Sequence, residues 1–274
     1  RDHVNTETSS LTADAVAVLE TSDPFEKATL ATVLRSRWQT TDDLSHSSAI
    51  PPRRPSRPDR PLLLAPSKVP RRRINRGIKG RVALLHALAH IELNAVDLAC
   101  DIIARFGQNE DLPGAFFIDW IGVASDEGRH FLSLSKRLKT LGAAYGDLPA
   151  HDGLWEAAEN TAHDLLARLA VVPLVLEARG LDVTPPMIDK LRAVDDEESA
   201  AILDVIHKDE IGHVAAGQRW FAHLCERRQL EPVSTFHDLV QRYFKGELKP
   251  PFNKKSRNAA GLPSAFYEIE THSH

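Results

Sequence analysis

The chain has 274 residues, of which 42% are hydrophobic and 26% are charged, and this mixture is typical of a globular protein. Its formal net charge of −4 is too small to indicate a charged partner, and its two cysteines are too few for a disulfide framework. No run of about eighteen apolar residues occurs, so the sequence predicts no membrane-spanning helix. We therefore expect a cytoplasmic protein, or an organellar one if Arg1 marks a processed amino terminus.

The amino-terminal part predicts two short helices followed by an extended arm. Residues 10–40 have the composition of two helices, and Asp23 with Pro24 forms a suitable start for the second. Residues 41–80 are rich in proline and arginine, which favours an extended chain over a helix.

The predicted arm carries a concentrated positive charge. Between Arg53 and Arg81, eleven residues are Lys or Arg, and Asp59 is the single acid. Such a segment either binds a polyanion such as RNA or pairs with acids of the protein's own surface, and the second interpretation is favoured. If a polyanion binds, three consecutive residues are its expected contacts: Arg71, Arg72 and Arg73.

From residue 78 onward, hydrophobic residues recur with the period of a helix. We predict four long helices over residues 78–107, 113–141, 160–181 and 195–228. A short helix should open at Thr184, a further helix lies near 233–245, and the tail after it should be irregular. Because there is neither an alternating strand pattern nor a glycine-rich phosphate loop, the predicted fold class is all-α.

Each of the four long helices carries a glutamate on the face that its hydrophobic residues turn towards the core. Glu210, for example, shares a face with Leu203 and Phe221, because residues three, four or seven apart lie on one side of a helix. Two of the glutamates begin a Glu-x-x-His pair, in the similar words "SDEGRH" (125–130) and "KDEIGH" (208–213). The order along the chain is Glu92, Glu127 with His130, Glu177, and Glu210 with His213.

Metal ions explain why acidic side chains would occupy these positions. An ionised carboxylate in an apolar interior is penalised by several kcal/mol, and four of them would also repel one another. Two divalent cations would balance the four negative charges, and oxygen ligands with imidazole suit iron or manganese. The alternative is that the four buried acids pair with arginines, namely Arg105, Arg129, Arg179 and Arg192. That alternative would require six coincidences of spacing.

The chain resembles an uncharacterised ferritin-like family, a domain of unknown function, over nearly its whole length. The resemblance is carried by segments such as "RVALLHALAHIEL", "FFIDWIGVASDEGRHF", "DEIGHVAAGQRWF" and "PFNKKSRNAAGL". The ferritin-like superfamily implies a four-helix bundle with a dimetal centre, iron first, with manganese or a mixed Mn/Fe pair as alternatives. The ligands implied by the resemblance are the same six glutamates and histidines.

The resemblance also suggests how the chain is organised. Residues 1–77 would supply the amino-terminal helices and the arm, residues 78–230 the four-helix bundle, and residues 231–274 a helix and a tail that pack on it.

Further polar residues could support the predicted metal ligands. Asp126 and Asp209 precede the paired glutamates, so they either hold ligand histidines of the opposite helix or face solvent as caps. His207 is either an outer partner of the centre or a satisfied core histidine. Pro173 removes a helix hydrogen bond one turn before Glu177 and predicts a kink there.

Three other residues, His86, His90 and Asp97, lie away from the predicted ligands on their helix. We expect them to contact a neighbouring element such as the arm.

The favoured function is an O₂-dependent oxidoreductase that acts on a small organic substrate. The first alternative is an iron- or manganese-binding protein with ferroxidase activity at most, and the second is an RNA-associated bundle whose metals are structural. One member of the ferritin-like superfamily is a tRNA-modifying hydroxylase, which connects the basic arm with RNA by analogy alone. A homodimer is compatible with the sequence, and no membrane partner is expected.

Overall fold

The computed structural model describes residues 9–268, so the first eight and last six residues of the predicted terminal segments lie outside the described range. The regular secondary structure of the described residues is helical, without any β-strand, and an isolated bridge joins Leu63 and Ala150. The predicted all-α class is therefore confirmed. In chain order the α-helices are α1 (Leu11–Glu20), α2 (Pro24–Arg37), α3 (Ile78–Asp101), α4 (Gly114–Thr140), α5 (Gly153–Asn160), α6 (Leu165–Val171), α7 (Ala178–Ala193), α8 (Glu197–Arg227), α9 (Pro232–Tyr243), α10 (Lys254–Ala259) and α11 (Ser264–Tyr267).

Two π-helical turns adjoin these α-helices. Residues Ile102–Phe106 extend α3, and residues Val172–Glu177 join α6 to α7. Between α2 and α3 the chain contains only two short 3-10 turns, Thr41–Asp43 and Pro66–Lys68, which agrees with the extended arm predicted there.

The contacts divide the described chain into two compact units. The first comprises residues 9–58 and 95–129, and the second comprises residues 59–94 and 130–268. Helices α3 and α4 each contribute residues to both.

In the first unit, α1 packs against α2 and against the π-helical turn after α3. The side chain of Ser10 caps α1 by accepting from Ala13 N, and Asp23 caps α2 by accepting from Glu26 N. Asp23 and Pro24 therefore open the second helix as predicted, because the aspartate supplies the missing acceptor and proline suits the first turn.

A buried ion pair lies inside the first unit. Nζ of Lys27 lies 2.5 Å from Oδ1 of Asp97, and neither side chain is exposed. Arg57 of the arm approaches the other carboxylate oxygen at 3.2 Å. Burial is the main influence on both partners: it lowers the pKa of Lys27 and raises that of Asp97. The prediction that Asp97 contacts the arm is confirmed at Arg57.

In the second unit, α7 packs along α8, and α6 contacts both α8 and α9. The predicted helix over 160–181 begins later than expected, at Leu165. Residues 161–164 form a turn, and Asp164 caps α6 by accepting from the backbone N–H groups of Leu166 and Ala167.

The predicted new helix at Thr184 is wrong, because α7 runs through Pro185 and Pro186 without ending. Proline costs a helix its hydrogen bond at each position. Leu181 and Ile188, on either side of the prolines, are buried, and α7 packs along α8, so tertiary packing offsets that cost.

The expectation of an irregular tail is also wrong for the described residues. Asn253 caps α10 by accepting from Ser256 N, and the buried Arg257 donates two hydrogen bonds to Asp182 of α7, at 2.9 and 2.7 Å. The tail is thus ordered by a helix cap and a buried ion pair. Neither produces a periodic pattern of hydrophobic residues, so the sequence did not predict this order.

Among the described residues, the helix Ile78–Phe106 is long and apolar enough to cross a membrane by length and composition. However, 83% of its most apolar window is buried within the protein, as in the core helix of a globular domain.

Candidate metal centre

Six helical residues supply the carboxylates and imidazoles predicted as ligands. Glu92 lies on α3, Glu127 and His130 lie one turn apart on α4, and Glu210 and His213 lie one turn apart on α8. Glu177 ends the π-helical turn Val172–Glu177. Four of the six are buried and two, Glu177 and Glu210, are half-buried.

The ligand atoms of five of these residues form two groups. One atom from each of Glu92, Glu127 and His130 lies within 4.8 Å of the others, and the same holds for Glu127, Glu210 and His213. Glu127 therefore belongs to both groups. Glu177 belongs to neither group.

The imidazole of His130 is held on both sides. Its Nδ1 lies 3.1 Å from Oε2 of Glu92, and its Nε2 lies 2.8 Å from Oδ2 of Asp209. The centroid of its ring is 6.1 Å from that of His213. With one ring nitrogen fixed by a carboxylate outside the groups, the other points into them, which is how metal-binding histidines are usually oriented.

Glu210 provides a direct test of whether a cation fits. Its Oε1 lies 3.6 Å from Nδ1 of His213, while its Oε2 is buried and accepts no hydrogen bond from any described residue. A buried carboxylate oxygen without a partner costs about 1–3 kcal/mol or more. A divalent cation would satisfy that oxygen, and carboxylates with imidazoles are a suitable donor set for iron or manganese.

The segment before Glu177 has an unusual backbone. Pro173, for which a kink was predicted, lies in the π-helical turn. Gly217 of α8 packs against it so closely that a Cβ there would lie 2.6 Å from Cβ of Pro173. Such π-helical turns often occur at functional sites, and this one sets the position of Glu177.

The residues predicted to support the ligands have different surroundings. Asp209 contacts His130, as described above. Asp126 forms ion pairs with Arg35 at 3.0 Å and with Arg129 at 2.5 Å. His207 is half-buried, its Nε2 lies 3.2 Å from the hydroxyl of Ser256, and burial lowers its pKa.

His86 and His90 contact the connection between α4 and α5, so each contacts a neighbouring element as expected. Nε2 of His86 accepts from Gly146 N at 2.9 Å, and Nδ1 of His90 lies 2.8 Å from the hydroxyl of Tyr145. Hydrophobic periodicity could place these histidines on a face of α3 but could not identify what covers it.

The four arginines that the alternative would use to neutralise the glutamates form ion pairs with other acids. Each is paired with a different acid: Arg105 with Asp101, Arg129 with Asp126, Arg179 with Asp182, and Arg192 with Glu197 and Asp204.

The three consecutive arginines of the arm are exposed. Within residues 9–268, no acid lies within ion-pair distance of Arg71, Arg72 or Arg73. Other cations of the same segment are paired, for example Arg81 with Asp196 at 2.7 Å.

These observations define an all-helical protein with a carboxylate–imidazole cluster that could hold metal ions. The chain belongs to the family described as "Protein of unknown function (DUF455)", whose model matches residues 20–268. It is 44% identical over 221 residues to a Haemophilus influenzae protein named "Uncharacterized protein", a match that covers 78% of this chain and 76% of the relative. No solved structure matches the chain.

Proposed function

We propose that this chain is a ferritin-like dimetal carboxylate protein and that it is an O₂-dependent oxidoreductase acting on a small organic substrate. The observation that carries the proposal is the presence of Glu127 in both ligand groups. Two groups that share one carboxylate are what a pair of neighbouring ions requires. A single structural ion would need only one of them.

Charge balance supports two ions. Four glutamates contribute four negative charges, so two divalent cations with two neutral imidazoles would bring the centre close to neutrality. In this proposal Glu92 and His130 would hold one ion, Glu210 and His213 the other, and Glu127 both. Glu177 would complete the set through a movement of its side chain, since it lies outside both groups.

A pair of irons bound there would supply redox chemistry with O₂, while the protein supplies orientation and access. Asp209 holds the ring of His130 in place through Nε2. The side chains of Asp209 and Glu210 are 25% and 13% exposed, whereas Glu127 is fully buried. Small molecules would therefore reach the centre from the side of α8 that bears Asp209 and Glu210.

Metal analysis of two variants tests the site. After expression in iron-supplemented medium, we expect about two irons per wild-type chain, as in di-iron bundles. Glu127→Gln should reduce this below about one, because the residue serves both groups. Glu226→Gln, at an exposed glutamate of α8, is the control and should leave the content unchanged. A wild-type protein with less than about one metal per chain would refute the dimetal proposal.

Oxygen consumption by the reduced, iron-loaded protein separates the two redox functions. Continuous consumption with a supplied electron donor supports an oxidoreductase. A single burst proportional to the iron present would instead indicate oxidation of the metal alone, and the proposed activity on an organic substrate would be wrong.

A second candidate function is association with RNA, favoured by the exposed arginines of the arm. Arg71, Arg72 and Arg73 lie next to one another without an acidic partner among the described residues. Arginine binds phosphate through paired hydrogen bonds, so such a cluster suits a nucleic-acid backbone.

A further inference from the structure

Helix α2 presents apolar side chains to the outside of the first unit. Leu30 is 37% exposed and Val33 is 49% exposed, whereas Ala28, Ala31 and Leu34 of the same helix are buried. An exposed leucine alone needs no explanation, but two neighbouring large apolar residues on one face can mark an interaction surface.

A groove between α1 and α2 continues this surface. Its lining combines apolar residues of both helices with a charged pair at one end: Asp14, Ala17, Val18, Leu30, Val33, Leu34 and Arg37.

Charges occupy both ends of the exposed stripe. Glu26, Leu30, Val33 and Arg37 are spaced by four, three and four residues, so at 100° per residue they fall within about 60° of one another. All four are exposed. The stripe therefore has an acid at its amino end, two apolar residues in its middle and, at its carboxyl end, a base that also pairs with Asp14 of α1 at 3.2 Å.

We propose that this stripe binds the same stripe of a second copy of the chain, with the two α2 helices antiparallel. In that arrangement Glu26 lies opposite the partner subunit's Arg37, and Leu30 lies opposite the partner subunit's Val33. Both pairs are symmetric about the same point of the helix, between Ala31 and Thr32. With a two-fold axis through that point, each of the two contacts occurs twice in the dimer.

Charge complementarity selects this occupant and this direction. An antiparallel pair places acid against base at both ends, whereas a parallel pair would place Glu26 against the partner subunit's Glu26. The stripe is thus complementary to itself in one orientation.

The size of the surface sets the expected strength. A single pair of four-turn helices covers less than the roughly 1,600 Å² of a standard interface. We therefore expect a weak dimer with a Kd of about 10–100 µM, in exchange with the monomer.

Sedimentation velocity between about 1 and 300 µM tests the interface. Leu30→Glu and Val33→Glu should each raise the dimer Kd at least about 30-fold, because each buries two charges in the apolar middle. Leu230→Glu, at a leucine that is 40% exposed outside α2, is the matched control and should leave the Kd unchanged. Circular dichroism will show that all three variants remain folded. A wild-type chain that stays monomeric, or a dimer indifferent to both α2 variants, overturns the proposal.

A cross-linking experiment tests the direction. Both native cysteines are buried, so an introduced cysteine on α2 can be labelled selectively. A mixture of Glu26→Cys and Arg37→Cys chains, treated with a short bismaleimide, should give at least about five times more cross-linked dimer than either variant alone. Equal yields from the mixture and from the single variants would overturn the antiparallel arrangement.

Discussion

Nε2 of His130 on α4 lies 2.8 Å from Oδ2 of Asp209 on α8. The two residues are 79 positions apart in the chain. His130 ends one Glu-x-x-His pair, and Asp209 directly precedes the glutamate of the other. The contact fixes the plane of the imidazole and leaves Nδ1, which lies 3.1 Å from Glu92, for the centre. Asp209 is therefore a positioning residue for a proposed ligand.

The first prediction concerns this contact. Asp209→Asn should weaken metal binding about 10- to 100-fold, because the loss of an outer carboxylate changes both the orientation and the basicity of the ligand histidine. The number of ions bound at saturation should stay the same, since Asp209 is not itself a proposed ligand. Calorimetric titration with Mn²⁺ under anaerobic conditions measures both quantities.

Asp238→Asn is the control for that measurement, because Asp238 is exposed on α9. It should bind Mn²⁺ like the wild type. If Asp209→Asn also binds like the wild type, the carboxylate does not support the ligand.

Much of the helical framework was predictable because burial repeats along the sequence. Three of the four long helices begin and end within two residues of their predicted limits. They are α3 with the π-helical turn that extends it, α4 and α8. The Glu-x-x-His pairs were visible for the same reason: one turn of helix places both side chains on one face, whatever surrounds them.

The sequence could not predict ion pairs between residues that are far apart in the chain, because such contacts leave no periodic pattern of hydrophobic residues. Lys27 lies on the buried face of α2 among alanines, and nothing near it in the sequence indicates a partner. The folded chain places Asp97 beside it, and Arg57 pairs with the same carboxylate. The order of the tail depends on a single buried pair, Arg257 with Asp182. Local propensity failed at Pro185, where packing against α8 keeps the helix intact.

The second prediction concerns Gly217, which lies against Pro173 of the π-helical turn. Gly217→Ala should destabilise the protein by about 1–3 kcal/mol, because the added Cβ would overlap a proline that cannot move without its backbone. Displacement of that turn should also weaken metal binding through Glu177.

Gly212→Ala is the matched control on the same helix. No atom lies within 4 Å of a Cβ built at Gly212, so this change should stabilise α8 by about 0.5–1 kcal/mol through its better helix propensity. Urea unfolding of the metal-free variants gives both values. Equal effects of the two substitutions would show that the Pro173 contact is unimportant.

The third prediction concerns Asp196, a buried carboxylate at the start of α8. It accepts hydrogen bonds from Arg81 at 2.7 Å, from Arg137 at 2.8 Å, and from both N and Oγ of Ser199. Asp196→Asn should therefore destabilise the protein by about 2–4 kcal/mol near neutral pH, because two guanidinium groups lose their counter-charge.

The pH dependence of that loss follows from the pKa of Asp196. Burial alone would raise the pKa, but the hydrogen bonds from Arg81 and Ser199 and the charge of Arg137 more than offset it, so the pKa is lowered. A lowered pKa means that the stabilisation is complete above the unfolded value of about 3.9 and disappears as the pH falls below it. Urea unfolding of wild type and variant at several pH values should show their free energies converging below about pH 4. A difference that is constant with pH would contradict a charge effect.

The last prediction concerns the arginines of the arm. Changing Arg71, Arg72 and Arg73 together to glutamine should weaken RNA binding and reduce the slope of log K against log salt by about 2, since each lost phosphate contact on a single strand contributes about 0.7. Fluorescence anisotropy with a labelled single-stranded RNA, measured at several salt concentrations, gives the slope. A control with Lys139, Lys190 and Lys245 changed to glutamine removes the same charge from exposed positions elsewhere. If both triple variants lose affinity equally, the RNA responds to net charge and the arm is not its binding site; if neither does, the arginines serve another purpose.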